Sequence, residues 1–217
     1  MLKISPFEQY ANQYDEWFEK NPWVYEAELR AVKAMIPAGG HGMEIGVGSG
    51  RFAEPLGIKI GVDPSKHMRE IAGKRGIKVL GGMAEDLPFD DSLFDFVLMI
   101  TTVCFVDDIN KALLEAYRVL SDGGFLIVGF IDRNSTIGKI YLDHQDENVF
   151  YKEATFFSTE ELVEIIDSSG FTDLTFNQTI FKTLTEITKN EPVKPGYGEG
   201  SFVVIRSKKG RETDKKP

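Results

Sequence analysis

The sequence predicts an α/β fold: a doubly wound, mainly parallel sheet of seven strands, preceded by helices and closed by an antiparallel C-terminal strand. Three observations lead there. Between residues 43 and 131, short apolar runs alternate with helix-length stretches, the pattern of parallel strands joined by right-handed crossovers. A glycine-rich segment joins the first of those runs to the next helix-length stretch. The last two apolar runs are separated by a loop containing Pro192, Pro195, Gly196, Gly198 and Gly200, so they are expected to pair antiparallel.

Taken in order, the first 40 residues read as helix. Phe7, Tyr10, Tyr14, Trp17 and Phe18 recur at helical spacings on one broad face, and Pro22 separates this run from a second one, Trp23 to Met35. The aromatic stripe suits either core packing or a lid over a ligand, and we read it as a lid. Met43 to Val47 is the first strand, followed by Gly46, Gly48 and Gly50 leading into a helix through Leu56. The unit repeats as strand Lys59 to Val62 with helix Ser65 to Gly73, strand Lys78 to Leu80, and strand Phe94 to Ile100 with helix Ile109 to Leu120. Gly123 and Gly124 are expected to end that helix and release a fifth strand, Phe125 to Ile131, whose unbroken apolar character predicts burial on both faces. Residues 132 to 156 read as irregular. Ser158 with Glu161 forms a capping box for a helix to Ser169, stopped by Gly170, and strands Leu174 to Phe181 and Ser201 to Ser207 complete the sheet.

Composition limits the function. A length of 217 residues, 42% of them hydrophobic and 12% aromatic, suits one globular domain. It divides into a helical lid (1–40), a ligand-binding core (41–131), an insert with the C-terminal strands (132–207) and a flexible tail (208–217). The formal charge of −9, from 34 acids and 25 bases, argues against nucleic acid as partner. No run approaches the ~18 apolar residues of a membrane span, and no signal peptide is evident, so a cytoplasmic protein without membrane association is expected. Cys104, the single cysteine, excludes an internal disulfide and reads as a small buried residue; His41, His67 and His144 are too scattered for a metal site, and no metal is expected.

The chemistry concentrates at Glu44-Ile45-Gly46-Val47-Gly48-Ser49-Gly50. Alternate glycines between strand and helix permit a tight turn and close approach of a ligand to the backbone. Arg51 stands where a dinucleotide fingerprint has its third glycine, which weakens a pyrophosphate reading. Asp63, at the end of the next strand, places a carboxylate beside this loop. An ionised carboxylate accepts hydrogen bonds without donating them, which suits the two vicinal hydroxyls of a ribose.

These segments resemble the class I S-adenosylmethionine-dependent methyltransferases, in particular the small-molecule group that includes the ubiquinone and menaquinone biosynthesis methyltransferases. The resemblance lies in EIGVGSGRF (44–52), GVDPS (61–65), GGMAEDLPF (81–89), FDFVLMITT (94–102) and RVLSDGG (118–124). It implies the Rossmann-like methyltransferase fold, S-adenosyl-L-methionine as cofactor with S-adenosyl-L-homocysteine as product, and in-line displacement onto a small-molecule acceptor. By the same resemblance, Gly46, Gly48 and Gly50 form the cofactor loop, with Gly46 and Gly48 facing methionine and ribose. Glu44 holds the loop or the ammonium group, and Asp63 binds the ribose hydroxyls. Pro64 and Met68 pack on adenine, Ala84 and Glu85 meet its edge, and Thr101 lies near the reacting methyl.

Three departures accompany the match. Met83 replaces a common Asp, Ser121-Asp122 replaces Lys-Pro, and the loop after Thr101 lacks a histidine. No catalytic base is therefore assigned. Tyr14, Trp17 and Asp132 are candidate acceptor-binding residues, Tyr14 and Trp17 through cation–π contact with a sulfonium or an acceptor. A cofactor-binding protein without turnover, serving as a sensor or assembly partner, is the alternative, and a nicotinamide-dependent oxidoreductase a more remote one. The acceptor and the oligomeric state are not specified by the sequence.

Overall fold

The computed structural model describes residues 3–210. The chain begins with three helices, α1 (Ser5–Gln9), α2 (Ala11–Lys20) and α3 (Pro22–Lys33). The expected single aromatic run thus breaks at Tyr10, whose φ of −118° is not helical, while Pro22 starts α3 where its missing N–H costs nothing. The alternating unit follows: β1 (Gly42–Ile45), β2 (Ile60–Val62), α4 (Lys66–Lys74), β3 (Lys78–Leu80), β4 (Phe94–Ile100), α5 (Ile109–Val119) and β5 (Leu120–Ile131). After it come α6 (Thr136–Asp143), α7 (Thr159–Ser168), β6 (Phe171–Thr179), a two-residue β7 (Lys194–Pro195) and β8 (Phe202–Lys209).

The eight strands lie in the order β3-β2-β1-β4-β5-β8-β6-β7. Pairings among β1 to β5 are parallel, and β8 inserts antiparallel between β5 and β6. Alternate side chains of β4 face opposite layers, as a doubly wound sheet requires. Val97 and Met99 pack with Leu113 and Ala116 of α5 and Leu162 of α7; Phe96, Leu98 and Ile100 pack with Ala27 and Ala31 of α3 and Ala72 of α4. β5 is central, and Leu126, Ile127 and Val128 on its two faces are at most 1% exposed.

Several local expectations change. The segment after Gly50 is a chain of turns, not a regular helix, although Glu54 N still bonds Gly50 O at 3.0 Å. Gly123 and Gly124 do not separate helix from strand: α5 ends at Val119 and β5 starts at Leu120, with an irregular register before Phe125. The stretch read as irregular contains α6, capped by Ser135, whose Oγ accepts from Gly138 N at 3.0 Å. A third antiparallel strand, β7, raises the count from seven to eight. The expected tail boundary at 208 falls inside β8, where Lys209 is buried and its Nζ donates to Leu120 O at 2.7 Å; residues 211–217 lie outside the described residues. The capping box forms as read, with Glu161 N to Ser158 Oγ at 3.2 Å and Ser158 N to Glu161 Oε2 at 2.9 Å. Among the described residues, no helix is long and apolar enough to cross a membrane.

Candidate active site

Strand order reverses between β1 and β4, and a crevice at the carboxyl ends of such a pair is where open α/β sheets bind ligands. Here the two strands deliver Gly46 and Thr101. Gly46 and Val47 donate to Val62 O at 2.8 and 3.0 Å, which turns the chain across the end of β2. Gly48 N then donates to Asp63 Oδ2, and Ser65 N to Asp63 Oδ1, both at 2.8 Å. Burial pushes the Asp63 carboxyl up to about 6, and these two amides oppose that shift. A carboxylate offers about four acceptor positions, so two remain for a ligand's hydroxyls.

A narrow cleft of about 90 Å³ results from this arrangement, with Gly46, Gly48, Asp63, Pro64, Met68 and Ala84 on its wall. Glu85 and Thr101 line it as well. Glu85 has a second task, since its Oε1 accepts from Asp107 N at 2.7 Å and Asp108 N at 3.1 Å and so ties two loops together.

Two residues of the expected site, Gly50 and Glu44, do not line the cleft. Gly50 is not on the cleft wall: a Cβ there would lie 2.5 Å from Ile77 Cδ1, so its role is to let the turn pack against α4 and the chain beyond it. Glu44 lies behind the glycine loop, 2% exposed, with Oε2 lacking any partner among the described residues. Burial, and next the charge of Asp63, hold its pKa well above the usual carboxylate range.

A second, larger cavity of about 640 Å³ adjoins the cleft, within the range of small-molecule sites. Tyr14 and Thr101 line both. Thr101 has φ +53°, a left-handed backbone uncommon for a non-glycine residue, and its N–H is fixed to Gly129 O at 2.7 Å. Trp17, Glu28, Tyr141, Phe150 and Tyr151 supply much of the remaining wall. Asp132, the other acceptor candidate, lines neither: its Oδ2 accepts from Thr159 N at 3.0 Å and from the Thr159 hydroxyl, and Oδ1 from Asn134 N at 2.7 Å. It fastens the starts of α6 and α7.

The aromatic stripe of α1 and α2 spans both spaces. Phe7 packs edge-on against Phe105 at 4.7 Å and Tyr14 at 5.4 Å, and Tyr14 meets Phe150 at 5.6 Å. Arg51, the residue that spoiled the dinucleotide pattern, clamps α2 to the glycine loop through Asp15 at 2.7 Å and Glu19 at 2.6 Å. Arg75 joins at Asp15, 3.0 Å away.

Residues 43–128 match the family described as a methyltransferase domain. A crystal structure from Thermotoga maritima, described as an S-adenosylmethionine-dependent methyltransferase and possible histamine N-methyltransferase, is 54% identical with a TM-score of 0.93, covering 95% of this chain and 99% of that one. The chain belongs to the S-adenosylmethionine-dependent methyltransferases.

An uncharacterized protein of Methanocaldococcus jannaschii is 49% identical over 95% of this chain and the whole of that relative. The quinone methyltransferases are more distant: the demethylmenaquinone methyltransferase of Chlorobaculum tepidum is 35% identical over 54% of this chain and 51% of its own length.

The residues present fit the cofactor of this methyltransferase family. Asp63 keeps free acceptor positions, and a Cβ on Gly48 would meet nothing nearer than Tyr14 Cε1 at 4.0 Å, so the loop presents open backbone there. Glu44 is an orphaned buried carboxyl that a nearby cation would satisfy.

Sequence reasoning missed Glu28 and Phe105. Glu28 carried a signal: it falls four residues after Val24 and four before Val32, an acid on the apolar stripe of α3. Phe105 carried none, because its place on the cleft wall depends on how the loop after β4 turns.

Proposed function

We propose that this methyltransferase transfers its cofactor's methyl group to a small organic acceptor held in the larger cavity. The observation that carries this reading is the shared wall: Tyr14 and Thr101 face both the cleft and the cavity, so ligands in the two spaces meet at these residues. When bound, S-adenosylmethionine supplies an electrophilic methyl for in-line displacement. Asp63, with the backbone of Gly46 and Gly48, holds the nucleoside end, and Pro64, Met68, Ala84 and Glu85 form the slot for its base. Tyr14 and Trp17 orient the acceptor and exclude water. Alignment of two reactants in this way is worth ~7 to 11 kcal/mol of barrier. The relative described as a possible histamine N-methyltransferase, at 54% identity, supports a nitrogen acceptor.

The test is calorimetric titration with S-adenosylmethionine and S-adenosylhomocysteine, with NAD as control, followed by a screen of acceptors for S-adenosylhomocysteine release. Micromolar binding of the first two and turnover with an acceptor support the reading. Tight cofactor binding with no turnover on any acceptor counts against it.

A further inference from the structure

Glu28 is a wall residue of the larger cavity whose presence packing does not explain. It lies on the buried stripe of α3 beside Ala27, Ala31 and Val32, and it is only 7% exposed. Its carboxyl has no hydrogen-bond or ion-pair partner among the described residues, and burial alone pushes its pKa up to about 8. An apolar residue would serve that helix face at less cost, since a buried carboxyl without a partner opposes folding. The exposure that remains to it is the cavity it lines.

Aromatic rings surround the same space. Tyr14, Trp17, Tyr141 and Tyr151 line the cavity, and Tyr141 stacks on Tyr151 at 4.8 Å. Burial first, with the Glu28 charge contributing, raises the pKa values of all three tyrosines, so all three phenols lie within its electrostatic reach and stay neutral. None of the three hydroxyls bonds to another described residue. Once ionised, a carboxyl among ring faces attracts an organic cation and repels an anion, while the neutral phenols remain as hydrogen-bonding groups. Lys20, the basic residue on the wall, is paired with Glu16 at 3.0 Å and remains largely exposed.

We infer that Glu28 is the acceptor-recognition residue and that the acceptor is an organic amine, its nitrogen against the Glu28 carboxylate and its apolar body between the rings of Tyr14, Trp17, Tyr141 and Tyr151. A bound ammonium supplies the counter-charge that Glu28 lacks. The cost of the buried acid is thereby turned into selectivity, because an alcohol isostere can hydrogen-bond the carboxyl but supplies no counter-charge. This inference rests on reading the larger cavity as the acceptor site.

The test measures affinities for the wild-type chain saturated with S-adenosylhomocysteine, using amines paired with their alcohol isosteres: phenethylamine with phenethyl alcohol, and benzylamine with benzyl alcohol. Each pair is repeated with Glu28→Gln. The expected result is that at least one amine binds about tenfold or more tighter than its alcohol, the size of a charge-assisted contact, and that Glu28→Gln removes most of this gap. The variant's affinity for S-adenosylhomocysteine stays unchanged, because Glu28 does not line the cofactor cleft. Cofactor binding with equal or better affinity for the alcohols overturns the amine assignment alone, as does an amine preference that survives Glu28→Gln. Failure of the wild type to bind S-adenosylhomocysteine overturns the cofactor reading itself.

Discussion

The two spaces of this methyltransferase are built by different means. The cleft proposed for the cofactor is lined mostly by loops at adjacent strand ends, covered by Phe7 and Tyr14, and its polar contacts run through backbone amides: Gly48 N and Ser65 N on Asp63, and Gly46 N on Val62 O. The larger cavity is made from side chains of α2, α3, α6 and the segment between α6 and α7, with Thr101 from the end of β4 as its link to the cleft. A backbone cradle recognises one invariant ligand and tolerates little change; a side-chain wall can be retuned residue by residue. Common chemistry is therefore to be sought in the cleft and specificity in the cavity.

Gly48→Val puts this division under the greatest stress. The cleft reading expects loss of cofactor binding by more than about 100-fold, since a side chain at φ +52° is strained and fills the open face of the loop, while the fold survives. Calorimetry with thermal melting checks both halves, and unchanged affinity would move the nucleoside off this loop. Gly46→Val should instead damage the fold, because its Cβ lies 2.5 Å from Thr102 Oγ1.

Glu28→Gln probes the cavity side through pH. A carboxyl held at about 8 in the folded chain, against 4.5 normally, leaves stability intact below pH 4.5; the folded state then loses it progressively as pH rises toward 8. Wild type should therefore lose on the order of 3 kcal/mol more stability than Glu28→Gln between pH 5 and 8. Denaturant titrations at the two pH values measure it, and parallel behaviour of the two proteins would show that Glu28 is not a strained acid.

Asp63→Ala is expected to weaken cofactor binding by ~1.5 to 3 kcal/mol without changing acceptor selectivity. A shift in selectivity would show that the two spaces are not separable at this residue. Trp17→Ala has the smallest expected effect, a rise in acceptor KM of about threefold to tenfold at unchanged cofactor affinity, because Trp17 lines only the cavity. An equal loss of cofactor affinity would mean that the helices act as one lid over both.

The sheet core and the placement of the glycine loop beside Asp63 were legible in the amino-acid order alone. Strands β3 and β4 have the bounds that the apolar runs predict, and the glycines and Asp63 could be read because strand ends, turn and carboxylate are neighbours along the chain as well as in space. Local physics is enough for such a site: periodicity places the strands, and the turn chemistry places the loop. The remaining roles were assigned by tertiary contacts. Gly50 resembles its two neighbours but packs on Ile77, Asp132 reads as an acceptor-binding candidate but ties Asn134 to the first residue of α7, and Glu28 is one of many helix acids in the sequence yet lies in a cavity. Each of these roles depends on a partner many residues away, and the free energy that assigns it, burial without or with a hydrogen bond, exists only once the chain has closed around it.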